Sequence, residues 1–438
     1  MMWRTVPRRI ALILAVVLGI GGLLTAPAPG AGGQPPSAID ASIAKVSAMS
    51  AKEADAYLDA HPREQLDILN SQPEAVADYW QTSTKAEQKD AIRTVPQLIG
   101  NLDGVDYTSR DKANRRQLTI SMRATDKALK RNPNNEKAQK TKKALMAITG
   151  TLAGKRSPKR YLTMLTDDAP PLAAVAIGNL DTAKQVTFNV PGMGTYSDDM
   201  QLWTQSAQNV YDMQGFVGAT GNRSVVAWIG YVTPPPGIEA AFGRYAADGA
   251  PRLEGEINGF WAAHDADDTD GGADPTVNIV AHSYGTTTAA NALADQDLSI
   301  RSFVMLGSAG IESRIRSASA LHAKFVYAGE ASDDMEARWG RVTRTDPRSP
   351  SFGARVLDVD GKSNGLLAVT GHTPIVHSKY NDNPLSAVWK GIKNVKEAAA
   401  RYRQHLKTYG YFDVGTESLE NVAVVTTPRA NIKAYSVH

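Results

Sequence analysis

Apolar residues first recur three and four positions apart, from about Ile39 to Leu152, in Ala-rich stretches such as AKEADAYLDA and PEAVADYW. That spacing is the period of amphipathic helices. Pro96 and Gly100 interrupt one helical stretch, and Asn132-Pro133-Asn134-Asn135 divides the next into two. No repeat at a solenoid period is present. Beyond Gly154–Arg160 the texture changes. RYLTMLTDD, PLAAVAIGN, QVTFNVPG, SVVAWIGY, PTVNIVAHS, IRSFVMLGS, AKFVYAGE and ARVLDVDG are short apolar runs. Helical stretches at MQLWTQSAQNVYDMQG, PRLEGEINGFWAAH and Gly285–Asp295 separate several of them. Strands alternating with helices predict an α/β fold, a mostly parallel sheet with helices on both faces. The three closely spaced early strands predict antiparallel pairing at one edge.

Length and composition narrow this picture. A chain of 438 residues with 42% hydrophobic content is long enough for two or three units. The absence of cysteine rules out disulfides, thiol nucleophiles and zinc–thiolate sites. At the N-terminus, Arg4, Arg8 and Arg9 precede an apolar stretch, Ile10–Leu24, and then small residues and prolines. This is the layout of a secretory signal, and the stretch is shorter than the roughly 20 residues that span a bilayer. An uncleaved anchor is the alternative. The predicted organisation is a signal peptide over 1–31, a helical region over 32–158, a catalytic domain over 159–412 and a C-terminal tail over 413–438.

The net charge of +3 excludes a wholesale polyanion binder, yet the charge is uneven. From Asn101 to Arg160 there are sixteen Lys/Arg against five Asp/Glu. Two readings follow: contact with an anionic cell surface, or solvated helix faces. Nucleic acid fits poorly, because no aromatics interleave with the basic residues. The helical region could also serve as a lid or docking surface over an active site.

In a parallel sheet, chemistry gathers at the carboxyl ends of the strands. AHSYG places Ser283 between a strand and a helix, the setting of a nucleophile elbow, with small Ala281 and Gly285 two residues to either side. NVPGMGTYS follows an earlier strand. The N–H groups of Met193 and Tyr284 would then face a developing oxyanion. KFVYAGEASDDM supplies Glu330, Asp333 and Asp334 after a later strand. Either aspartate could orient a base histidine. Chain order leaves His372, His377, His405 and His438 as that base. His405 falls in a helical stretch and His438 at the chain end, so the loop residues His372 and His377 both stay open. The aspartate-rich His264–Asp274 stretch fails the calcium-loop pattern, because Ala266 stands where its first ligand should be.

These residues resemble the α/β-hydrolase superfamily, and more narrowly a family of exported or membrane-associated actinobacterial α/β-hydrolases of undefined biological role. PQLIGNLDGVDYTSRDKANRRQL (Pro96–Leu118) is similar to that family's motif ahead of the core, with Asn101 in place of a glycine. VPGMGT, VAHSYGTTTAA and HSKY are similar to its oxyanion loop, elbow and histidine loop. The resemblance implies Ser283 as nucleophile and His377, in HSKY, as base. It favours Asp334 as acid, with Asp333 kept as the alternative because Met335 stands where the family has proline. The expected activity is a secreted serine hydrolase acting on a small-molecule or lipid-like ester, without a cofactor or metal. An amidase or peptidase, or a non-catalytic surface protein on the same fold, are the competing expectations.

Overall fold

The computed structural model describes residues 36–266, 274–361, 365–378 and 407–428. The N-terminal apolar segment, His405, His438 and most of the aspartate-rich stretch lie outside them. Eight helices come first: α1 (Pro36–Ser47), α2 (Ala51–Ala60), α3 (Pro62–Leu69), α4 (Pro73–Thr82), α5 (Lys85–Thr94), α6 (Pro96–Ile99), α7 (Tyr107–Arg131) and α8 (Glu136–Leu152). Their starts are encoded locally. Ser50 with Glu53 and Thr84 with Glu87 form reciprocal capping boxes on α2 and α5, satisfying amides that a helix end leaves open. Ile43, Leu58, Trp80, Val95, Ile99 and Val105 fill a core of their own between these helices.

The strands are β1 (Arg160–Leu165), β2 (Ala173–Ile177), β3 (Gln185–Val190), β4 (Arg223–Ile229), β5 (Thr276–His282), β6 (Ile300–Leu306), β7 (Ala323–Gly329) and β8 (Arg355–Leu357). They form one sheet in the order β1-β2-β4-β3-β5-β6-β7-β8. Only β2 runs antiparallel to its neighbours, and it sits one place in from the β1 edge. Both faces are covered by α9 (Met200–Phe216), α10 (Arg244–Ala266), α11 (Gly285–Asp295) and a last helix described below. Alternate side chains of one strand therefore enter separate cores. Ile279 and Ala281 of β5 join Phe188, Trp228 and Phe303 on one face. Val280 joins Trp203, Val225 and Val304 on the other. Burial on both faces explains why the strands read as continuous apolar runs.

The C-terminal boundary expected at residue 412 is corrected. Beyond α12 (Met335–Gly340), a helix α13 (Glu417–Thr426) packs into the second core through Leu419, Val422 and Val425. Asn278 of β5 donates to Thr426 O at 3.1 Å, and Arg301 of β6 to Val425 O at 2.8 Å. Residues 413–428 are therefore part of the sheet domain.

The helical region and the sheet belong to one compact unit. The Pro96–Leu118 motif makes the join. Asn101 accepts from Leu165 N at 2.9 Å and donates to Leu165 O at 2.8 Å. Asp111 accepts from Leu162 N at 2.8 Å, and Asn114 donates to Leu162 O at 3.0 Å. Arg115 donates to Arg160 O at 2.8 Å. These side chains meet backbone groups on the outer edge of β1, which otherwise lack a strand partner. Arg110 is buried alongside, donating to Asp103 at 3.2 Å and to Glu256 of α10 at 3.4 Å.

Candidate active site

Strand β5 delivers Ser283 at its carboxyl end with a backbone φ of 54°. A non-glycine residue in this left-handed region is strained, and the surroundings hold it there. Ser283 N donates to Leu306 O at 2.9 Å, and its carbonyl accepts from Thr286 N at 3.1 Å. The turn leaves little room. A methyl group on Gly285 would lie 2.4 Å from Pro191 O. One on Gly192 would lie 2.5 Å from Ser283 Cβ and 3.0 Å from its Oγ. Ala281, where the elbow pattern has glycine, is fully buried between Val190 and Met305, so its methyl is absorbed by the core.

Ser283 Oγ lies 2.7 Å from His372 Nε2. His372 Nδ1 lies 2.9 Å from both carboxylate oxygens of Asp334. Asp334 begins the turn into α12 and is fully buried. Burial alone would raise its pKa. Hydrogen bonds from His372, the Ala337 amide at 2.9 Å and the Tyr411 hydroxyl at 2.7 Å outweigh that and hold it at about 2. An ionised Asp334 can only accept, so His372 Nδ1 carries the proton and Nε2 is free to accept from the serine hydroxyl. Asp333, next to it, is exposed. Glu330 is buried but taken up by Arg341 and by Arg348, the latter at 2.9 Å.

The assignment of the serine's histidine partner to His377 is corrected. His377 Nε2 donates to Thr408 O at 2.8 Å, and its backbone N–H donates to Asp413 at 2.9 Å. Asp413 also receives the Val376 and Gly410 amides, which fixes this turn away from the serine. His372, five residues earlier, is the one that reaches Ser283.

Two supporting residues escaped the sequence reading. His282 Nε2 donates to His372 O at 2.7 Å, and burial, with the nearby His372 adding to it, lowers its pKa to about 3. Tyr411 accepts from Ala331 N at 3.0 Å while donating to Asp334. His282 adjoins the elbow and was a visible signal. Tyr411 lies over 70 positions from Asp334, and nothing local marks it.

The amides of Met193 and Tyr284 have no hydrogen-bond partner among the described residues. The close approach of Gly192 to Ser283 brings the first of these loops to the serine. The Tyr284 hydroxyl donates to Phe242 O at 2.6 Å and accepts from Ala246 N at 3.1 Å. Tyr231 donates to Pro191 O at 2.7 Å. The long segment after β4, whose path the sequence did not reveal, is thereby tied to both the elbow and the Gly192 loop.

Parts of this chain resemble known proteins. Residues 167–343 match a family model described as alpha/beta hydrolase. Two uncharacterized proteins of Mycobacterium tuberculosis, from strains CDC 1551 and H37Rv, are each 28% identical over 296 residues. The match covers 60% of this chain and 44% of each relative, so the chain spans less than half the length of these relatives. Among solved structures, a dienelactone hydrolase from Anabaena variabilis is 13% identical with a TM-score of 0.32, covering 57% of this chain and 98% of that one. Esterase PE8 is 14% identical with a TM-score of 0.32, covering 50% and 99%. The family match over residues 167–343, the sheet order and the strand–serine–helix turn together give this chain an α/β-hydrolase fold.

Proposed function

We propose that this hydrolase-fold chain is an exported serine hydrolase that cleaves carboxylic esters through Ser283, His372 and Asp334. The observation that carries the reading is the continuous hydrogen-bonded line from Ser283 Oγ through His372 to Asp334, at 2.7 and 2.9 Å. His372 Nε2 takes the serine proton as Oγ attacks the substrate carbonyl carbon. Asp334 holds the resulting imidazolium. The Met193 and Tyr284 amides donate to the carbonyl oxygen as it gains charge. His372 then passes its proton to the departing alcohol, and water releases the acid from the acyl-enzyme by the same steps in reverse.

The test combines fluorophosphonate labelling with p-nitrophenyl esters of graded chain length. The native chain is expected to form an adduct on Ser283 that Ser283→Ala lacks. His372→Ala is expected to lower kcat by at least about a thousandfold. His377→Gln should stay within about threefold of native, because the residue touches neither the serine nor its acid. No adduct on the native chain would sink the reading. Loss of activity in His377→Gln, with His372→Ala active, would reassign the base.

A further inference from the structure

The hydrolytic site makes no use of the basic window, and the structure gives that window a shape. Helices α7 and α8 form an antiparallel hairpin, tied toward its connecting turn by Lys142 to Asp126 at 2.6 Å. Along α7, Lys112, Arg116, Arg123, Lys127 and Lys130 are all exposed. At 100° per residue they fall within an arc of about 60° and span about 27 Å of helix. Lys112, Arg123, Lys127 and Lys130 have no ion-pair or hydrogen-bond partner among the described residues. Asp126 is the one acid between Lys112 and Arg131, and its carboxylate is occupied by Lys142. At the hairpin end, Arg131, Lys137 and Lys140 are exposed as well.

Ordinary solvated helix faces mix both signs of charge, and neighbouring pairs offset one another. Here a single sign occupies one face, and these like charges repel within the fold. An external anion relieves that repulsion. Exposed apolar side chains accompany the charges: Ile120 beside the stripe at 43% exposure and Met146 on α8 at 58%. No aromatic residue is exposed on either helix for stacking on bases. A straight, mostly lysine stripe with apolar neighbours matches a planar array of anionic headgroups over an acyl layer. The hairpin also touches the site's surroundings, because Lys143 pairs at 2.6 Å with Asp198 in the turn that follows the Gly192 loop.

We infer that the exposed face of α7 is a docking surface for an anionic lipid bilayer, one that seats the chain with the hairpin against the headgroups. The inference is independent of the hydrolytic reading.

The test is co-sedimentation of the full chain with vesicles of phosphatidylglycerol and phosphatidylcholine, or of phosphatidylcholine alone. Binding is expected only to the anionic vesicles, falling by at least about tenfold as salt rises from roughly 0.05 to 0.5 M. Replacing Lys112, Arg123, Lys127 and Lys130 together by Gln should weaken it by about a hundredfold, with the melting temperature unchanged. Lys52, Lys89, Lys184 and Lys324 are exposed elsewhere, and replacing those four by Gln should leave binding within about threefold. Absence of binding at low salt would overturn the proposal. So would equal losses in the two variants, or retention on immobilised heparin without binding to vesicles.

Discussion

The ring of His282 holds the backbone of His372: its Nε2 donates to the His372 carbonyl oxygen at 2.7 Å. The residue that precedes the serine in the chain thus fixes the loop that carries the serine's partner. Serine and histidine are registered to each other by one strand end, although 89 positions separate them.

His282→Leu removes that donor. The expected result is a 10- to 100-fold fall in kcat, as a misplacement of about 1 Å produces, with KM changed by less than about threefold. His282→Gln keeps a donor and should recover most of the loss. The ring, neutral when folded with a pKa of about 3, takes up a proton on unfolding once the pH is below its ordinary 6.5. Native stability therefore falls as pH drops from 6.5 toward 3, and His282→Gln should fall less steeply in that window. Equal kcat in the Leu and Gln variants would show that the hydrogen bond does not position His372.

Asp334 gives a second pH window. Its carboxyl, at about 2 in the fold against an ordinary 3.8, contributes stability that is complete above pH 3.8 and lost as pH falls through 2. The contribution is on the order of 2 kcal/mol. Asp334→Asn should be less stable than native at pH 6, with the gap closing between pH 4 and 2 in denaturant titrations. A gap that did not change with pH would mean that the ionised carboxylate is not what the fold stabilises.

Asp111→Ala strips the partner from the buried Leu162 amide at the sheet edge. The expected cost is about 2 kcal/mol, the price of a buried donor left unmade. Asp111→Asn, which keeps an acceptor, should cost less. Urea denaturation measures both, and a loss in the alanine variant below about 0.5 kcal/mol would show that water replaces the carboxylate.

Much of this was legible in the sequence because it is written locally. The central strands of the sheet, such as β2, β4 and β5, are mostly apolar runs, since both their faces are buried. The Ser283 turn is marked by small residues two positions to either side, which the crossing of strand and helix demands. What stayed hidden depends on contacts distant in the chain. His372 and His377 share one loop and one place in chain order, and only the grip of Asp413 on the backbone of Val376 and His377 separates their roles. Asp333 and Asp334 adjoin, and burial beneath Tyr411 distinguishes them. Helix α13 reads as a tail because its apolar face is short and its polar residues, Glu417, Asn421 and Thr426, are buried too. The Pro96–Leu118 motif stood out by resemblance, but nothing in its spacing revealed that its polar side chains meet a strand edge.

That edge bears on how copies of the chain can associate. An exposed outer strand is a template on which a second sheet can grow, as in strand-paired dimers and fibrils. On β1 the amides and carbonyls of Leu162 and Leu165 are already occupied by Asn101, Asp111 and Asn114. At the opposite side β8 is three residues long, too short to nucleate an extended ladder. Among the described residues, neither side of the sheet offers a long unpaired edge, which leaves helices and loops as the surfaces on which copies of this chain would meet.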